Sequence, residues 1–291
     1  MHLHDNLHRF VFEHAPIRGE IVRLDATWRA VLERRDYPPA LRDVLGEFMA
    51  AAALLVTTLK FQGRLIMQAQ SAGPVTLLVV ECSSERTLRG LAHWQGEVKP
   101  APLSQLLGAG KIAITIDPEG GKERYQGIVS LTGETVAEAL EHYFASSEQL
   151  DTRLWLAADR EQATGMLLQR LPQEHDGDTD AWNRALHLSS TVTREELLHL
   201  PAREIVHRLY HEEDIRLFSG VPVSFRCSCS RARVEAVLRM LGHAEVRSIL
   251  AEQGSVGVDC EFCGSHYGFD PVDAEQLFAS THAIPATPTR H

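Results

Sequence analysis

Four of the five cysteines in this 291-residue chain fall into two close pairs, Cys227-Ser228-Cys229 and Cys260-Glu261-Phe262-Cys263, separated by thirty residues. Zinc takes soft, deprotonated ligands in a tetrahedron, and four thiolates supply a closed one. Zn–S bonds of about 2.3 Å set the sulfurs about 3.8 Å apart, which two short cysteine turns can reach. Cysteines that merely fill a core have no reason to pair at such intervals. Cys227, Cys229, Cys260 and Cys263 are therefore expected to hold one zinc ion per chain in the reduced state. A closed all-thiolate shell leaves no open position for substrate, which argues against catalytic zinc. It also leaves no need for His266, three residues beyond Cys263, as a ligand. The fifth cysteine, Cys82, ends an apolar strand and reads as a small buried hydrophobe.

The upstream pair is unusual. Zinc ribbons mostly use two-residue gaps in both halves, and here the first gap is one residue. A disulfide across one residue would close a tight ring against a demanding geometry. Strained disulfides are easily reduced, so this pair favours a reversible switch over a permanent staple.

Composition narrows the class. A formal net charge of −10 argues against nucleic acid or an anionic membrane as the main partner. Residues 221–270 carry five arginines, no lysine and six acids, which is not the basic stripe that phosphate binding wants. The N-terminus lacks the basic and apolar regions of a secretory signal. The most apolar run, Phe48 to Leu59, falls short of the roughly 20 residues a bilayer requires. A cytoplasmic, reducing location is expected, where clustered cysteines serve metal or redox chemistry.

Enzyme signatures fail on inspection. Gly108-Ala109-Gly110-Lys111 has Gln105 where a phosphate loop needs its first glycine, and no Ser or Thr follows the lysine. His211-Glu212-Glu213 lacks the second histidine of a zinc protease. No serine stands in a Gly-x-Ser-x-Gly elbow. Cys260-x-x-Cys263 lacks the strand–helix setting of a thioredoxin-like site. No nucleotide site and no catalytic constellation are expected.

The fold class expected is α+β, a largely antiparallel sheet domain with packed helices, then a helical linker region and a small four-cysteine zinc module. Strands are expected at 9–13, 17–24, 63–70, 75–82, 86–94, 111–116 and 124–131, with a hairpin of 153–159 and 164–170. The connections between several are too short for helical crossovers, which makes the sheet antiparallel. Helices are expected at 26–35, 40–60, 103–108 and 134–146. The second is apolar all round over Met49–Leu55 and should be buried on most sides. The domain ends near 172, and the polar segment 172–180 reads as a linker.

Beyond it, Thr193 and Glu196 form a capping box ahead of Leu197 and Leu198. Pro201 opens a helix with Ile205, Val206, Leu209 and Tyr210 on one face. Glu212, Glu213 and Asp214 at its end oppose the helix dipole. The expected divisions are thus 1–172, a metastable helical region 173–220, a zinc-binding switch module 221–270 with helices over Val234–Leu241 and Val246–Leu250, and a tail 271–291, disordered from Ala279. Phe225, Phe262, Tyr267 and Phe269 are expected to pack around the metal.

At the cysteines the chain resembles the redox-regulated heat-shock chaperones, the thirty-three-kilodalton heat shock protein family. The likeness rests on Arg226-Cys227-Ser228-Cys229-Ser230-Arg231 and Asp259-Cys260-Glu261-Phe262-Cys263-Gly264. It continues through His266-Tyr267, Leu209-Tyr210-His211-Glu212-Glu213, Arg124-Tyr125-Gln126-Gly127, Asp36-Tyr37-Pro38 and His4-Asp5-Asn6-Leu7-His8-Arg9-Phe10. The resemblance implies an ATP-independent holdase for unfolding proteins under oxidative stress, active as a homodimer. It implies disulfides Cys227–Cys229 and Cys260–Cys263 in the active, zinc-free form, the pairs that are also nearest in sequence. Unfolding of the module would then expose Leu197, Leu198, Ile205, Val206 and Leu209 as client-binding candidates.

Overall fold

The computed structural model describes residues 5–108, 110–131, 133–172, 178 and 180–279. The chain opens with a hairpin of β1 (Asn6–Phe12) and β2 (Ile17–Leu24), then α1 (Ala26–Leu32) and α2 (Pro39–Thr58). Three strands follow, β3 (Gly63–Gln70), β4 (Val75–Ser83) and β5 (Thr87–Trp94). The short α3 (Leu103–Leu106) leads to β6 (Lys111–Pro118) and β7 (Tyr125–Ser130). Next come α4 (Val136–Tyr143), a π-helical turn over Phe144–Glu148, and the hairpin β8 (Thr152–Ala158) and β9 (Ala163–Arg170). The strands expected from alternation are present, and the helices expected over 26–35, 103–108 and 134–146 are shorter.

A helical segment follows with α5 (Ala181–Ser189), α6 (Arg194–His199) and α7 (Ala202–Tyr210). Three short strands, β10 (Ile215–Leu217), β11 (Val221–Pro222) and β12 (Ser224–Phe225), end the first of two compact units, which divide between Arg226 and Cys227. The second unit holds α8 (Arg231–Leu241), α9 (His243–Gln253), the hairpin β13 (Val256–Asp259) and β14 (His266–Phe269), and α10 (Pro271–Ala279).

Two six-stranded sheets build the first unit. One runs β10-β1-β2-β9-β8, with β11 also on β1; the other runs β12-β5-β4-β3-β6-β7. Every pairing is antiparallel except β12 with β5. α2 touches β2, β8 and β9 of the first sheet and β3, β4 and β5 of the second. That position explains why its sequence is apolar all round: Leu45, Phe48, Met49 and Leu54 are wholly buried. Gly46 makes the approach possible, since a Cβ there would lie 2.4 Å from the Ala158 Cβ.

The opposite face of the first sheet is also covered. Phe10, Phe12, Ile17, Ile21, Met166 and Leu168 form a second core with Ala181, Ala185, Leu197, Leu198, Ile205, Val206, Leu209 and Tyr210. The strand alternation in β1 sends Phe10 and Phe12 into this core and Leu7 into the other. Gly19 leaves space for the Phe10 ring, which a Cβ would meet at 2.1 Å. α5 to α7, read from sequence as part of a linker region, thus lie within the first unit.

The second unit has a small core of Leu238, Val246, Val256, Phe269, Ala274 and Leu277. Its helices extend beyond the ranges expected. Residues 271–279 are a correction: placed in a tail, they form α10, with Ala274 and Leu277 buried. Asp270 starts it by exchanging backbone–side-chain hydrogen bonds with Asp273, and proline suits the first helical position. The disordered tail expected from Ala279, with Pro285 and Pro288, lies outside the described residues beyond Ala279 itself, as does most of the linker expected at 172–180. Among the described residues, no helix is long and apolar enough to cross a membrane.

Candidate metal centre

The two cysteine turns are built differently. Cys260 directly follows β13, and Cys263 closes a tight turn, its N–H donating to Cys260 O at 3.2 Å. Gly264 N also donates to Cys260 O, at 2.7 Å, and Cys260 N donates to Ser265 O at 2.9 Å. Gly264 takes a positive φ of 70°, which glycine adopts at little cost. The pairing of Asp259 with His266 fixes the base of this turn. Upstream, Cys229 directly precedes Ser230, whose side chain caps α8 by accepting from Arg233 N at 3.3 Å. The Arg233 guanidinium reaches back to Ser228 Oγ at 2.6 Å, so the helix start holds the one-residue gap in shape.

Cys227, Cys229, Cys260 and Cys263 come together with all four sulfurs within 4.8 Å of one another, each half-buried. Cys227 and Cys260 Sγ are 3.6 Å apart, and Cys229 and Cys263 Sγ are 3.3 Å apart. Both are somewhat shorter than the sulfur–sulfur separation of about 3.8 Å that zinc thiolates set, and no pair is wider than 4.8 Å. The donor set is soft, closed and four-fold, and fits a structural metal.

The protons on these sulfurs are unequally held. The Cys263 thiol is drawn down to about 6; burial opposes this, but Ser265 and the neighbouring Cys229 and Cys227 outweigh it. The Cys260 thiol is pushed up to about 12, mainly by burial. Tyr267 donates its hydroxyl to Cys229 Sγ at 3.1 Å, and Arg231 lies over the buried Phe269 ring at 4.3 Å. Phe225, expected near the metal, instead packs on the core of the first unit with the Arg34 guanidinium 5.8 Å from its ring centroid. His266 turns its Nδ1 to Asp259 at 2.7 Å. Cys82 is fully buried, and desolvation pushes its thiol far up, as befits an inert core residue.

The client-binding candidates Leu197, Leu198, Ile205, Val206 and Leu209 are each at most 6% exposed. They sit against the first sheet, away from solvent, in the second core. Sequence reasoning missed the groups that hold them there. Arg23 donates to Leu198 O at 2.5 Å and Leu200 O at 2.7 Å. Arg208 pairs with Glu196 and donates to Thr191 O at 2.7 Å. Arg184 pairs with Glu213 at 2.5 Å, which offsets part of the dipole penalty expected there. The expected capping box of Thr193 and Glu196 is present. A periodic apolar pattern signals a helix face, but isolated arginines carry no sequence signal of what they bind.

A sheet face covered by helices, together with a separate four-cysteine unit, defines a class that the comparisons identify. The Hsp33 protein family model matches residues 5–270, and the chain belongs to that family of molecular chaperones. Among its relatives, the 33 kDa chaperonin of Nitrosococcus oceani is 55% identical over 291 residues, covering 100% of both chains. That of Methylobacillus flagellatus is 48% identical, again covering 100% of both. The crystal structure of the 33 kDa chaperonin, an Hsp33 homologue, from Thermotoga maritima aligns with a TM-score of 0.81 over 96% of this chain and 99% of that one. At 21% identity, that likeness speaks for the fold alone.

Proposed function

We propose that the protein is a redox-regulated, ATP-independent holdase of the cytoplasm, inactive when reduced and zinc-bound and active when oxidised. The convergence of four cysteine sulfurs within 4.8 Å carries this reading. Cys227, Cys229, Cys260 and Cys263 would hold the ion. When bound, zinc would supply the cross-link that a six-residue core cannot replace: structural zinc contributes about 10–16 kcal/mol of apparent folding energy, against about 5–15 kcal/mol for whole domains.

Oxidation acts on the ligands. Two thiols and one hydrogen peroxide give one disulfide and two waters, with two electrons passing from sulfur to peroxide. Sulfurs joined as Cys227–Cys229 and Cys260–Cys263, the pairing the family resemblance implies, no longer serve as thiolate ligands. The second unit then unfolds. The segment between it and α7 is held by strands of only two or three residues each, β10, β11 and β12, so little pairing resists its spread to α5–α7. Release of those helices exposes Leu197, Leu198, Ile205, Val206 and Leu209 and the sheet face beneath. A large exposed apolar patch binds other apolar surfaces, which unfolding clients present. The active form would be a homodimer.

Light scattering of an aggregating client tests this. Peroxide with mild heat should release zinc and make the protein suppress scattering. Equal suppression by the reduced, zinc-loaded form would overturn the switch.

A further inference from the structure

Two short strands just ahead of the second unit seal one edge of the first sheet: without β10 and β11, β1 would be its end strand. β10 runs antiparallel to β1, with Phe10 opposite Leu217, Val11 opposite Arg216 and Phe12 opposite Ile215. Phe218 N donates to Arg9 O, and Glu13 N donates to Asp214 O, both at 2.9 Å. This register turns the peptide groups of Arg9, Val11 and Glu13 toward the edge. It leaves Phe10–Leu217 and Phe12–Ile215 as the non-hydrogen-bonded pairs, where side chains approach most closely. Ile215 and Leu217 pack on the second core, the one that α5–α7 complete. Arg216, between them, pairs with Glu13 Oε1 at 2.6 Å.

The other sheet ends differ. On β8 the Leu154 N–H is already taken by Glu141 Oε1 at 2.7 Å. β7 ends the second sheet whether or not β10 is in place. At the remaining end β5 is covered by β12 from the same segment, but its Phe225 packs on the core around α2; the edge whose cover packs with α5–α7 is that of β1.

We infer that, once α5–α7 and β10 come away, the β1 edge captures an extended segment of an unfolding client, seating its alternate apolar residues against Phe10 and Phe12 where Leu217 and Ile215 now sit. The inference rests on the redox-holdase reading above. The seat itself specifies the occupant: three residues in an apolar–any–apolar order, antiparallel to β1. Main-chain hydrogen bonds supply binding that is indifferent to sequence, and the alternate pockets ask only for apolar side chains. Unfolding chains offer such segments and folded ones keep theirs paired. A bare edge beside an apolar face would also invite self-association, which β10 prevents in the resting state.

The test uses the full chain and labelled peptides with the sequence of residues 213–219, Glu-Asp-Ile-Arg-Leu-Phe-Ser. One peptide is N-methylated at the arginine and phenylalanine, whose amides would face β1. Its isomer is methylated at the isoleucine and leucine, whose amides would face away. Against the oxidised, metal-released protein the first should bind about tenfold more weakly than the unmethylated peptide, from losing two main-chain hydrogen bonds, while its isomer binds like the parent. Hydrogen exchange should find the Val11 and Glu13 amides protected when reduced, open after oxidation, and protected again by the parent peptide. Suppression of scattering with those amides still protected, or equal binding of the two isomers, overturns the edge and leaves the holdase standing. Reprotection without peptide, with doubled mass, makes the occupant a second copy and overturns the client assignment. If oxidation neither suppresses scattering nor opens those amides, both readings fall together.

Discussion

The ring of Tyr210 meets that of Phe12 edge-on, with centroids 5.1 Å apart. Its hydroxyl lies 2.6 Å from Ser189 Oγ on α5, so one side chain ties α7 to both the sheet and the neighbouring helix. Replacing a buried aromatic by alanine costs about 3–5 kcal/mol. Tyr210→Ala should loosen α5–α7 in the reduced protein and raise its suppression of client aggregation without oxidant. Tyr210→Phe keeps the ring, loses about 1 kcal/mol, and should stay close to the parent. Limited proteolysis of residues 181–210 in the reduced state would distinguish the two.

Metal removal should act locally first. Chelation of the reduced protein is expected to release one zinc, abolish the helical signal of α8–α10 and leave a cooperative thermal transition from the first unit. Circular dichroism and metal analysis would read this. A second unit that keeps its helices after demetallation would remove the physical basis of the switch.

Thiol chemistry should separate Cys82 from the other four. With its thiol pushed up by burial and no solvent exposure, it should resist alkylation in the native, metal-stripped protein. The four half-buried cysteines should label there. Peptide mass mapping should place label on Cys82 only after denaturation.

Glu47 predicts a pH dependence. Its carboxyl is raised to about 8, chiefly by burial and secondarily by Asp43, with Arg194 opposing. A raised folded value means the folded state keeps a proton that the unfolded chain loses near pH 4.5. Stability from this group is therefore complete below that value and falls as pH climbs toward 8. Glu47→Gln should flatten the decline and stabilise the protein above pH 8, by an amount on the order of a few kcal/mol. Urea midpoints across pH 5–9 would check the sign.

Much of this was legible in the residues. The cysteine spacing named four sulfurs that the structure brings together, because a tetrahedral ion would need two short turns and short turns are local. Strand alternation located β3 to β9, and the all-round apolar stretch of Met49–Leu55 identified the central helix. The hairpin β13–β14 and the strands β10 to β12 went unseen because two to four residues give too little period to read. α10 was missed because prolines nearby suggested a tail, whereas Pro271 sits where a helix tolerates it.

Local pattern thus determined the longer elements and which sulfurs can share an ion, since both depend on neighbours a few residues apart. What covers each sheet face was decided only in three dimensions. Leu197, Leu198, Ile205, Val206 and Leu209 announce a helix with a greasy side, but nothing in their spacing says that the side rests on Phe10 and Phe12, or that Ile215–Leu217 closes the edge of β1. Those partners lie some 200 residues apart, and long-range pairing is set by the complementarity of finished surfaces, not by the order of residues along the chain.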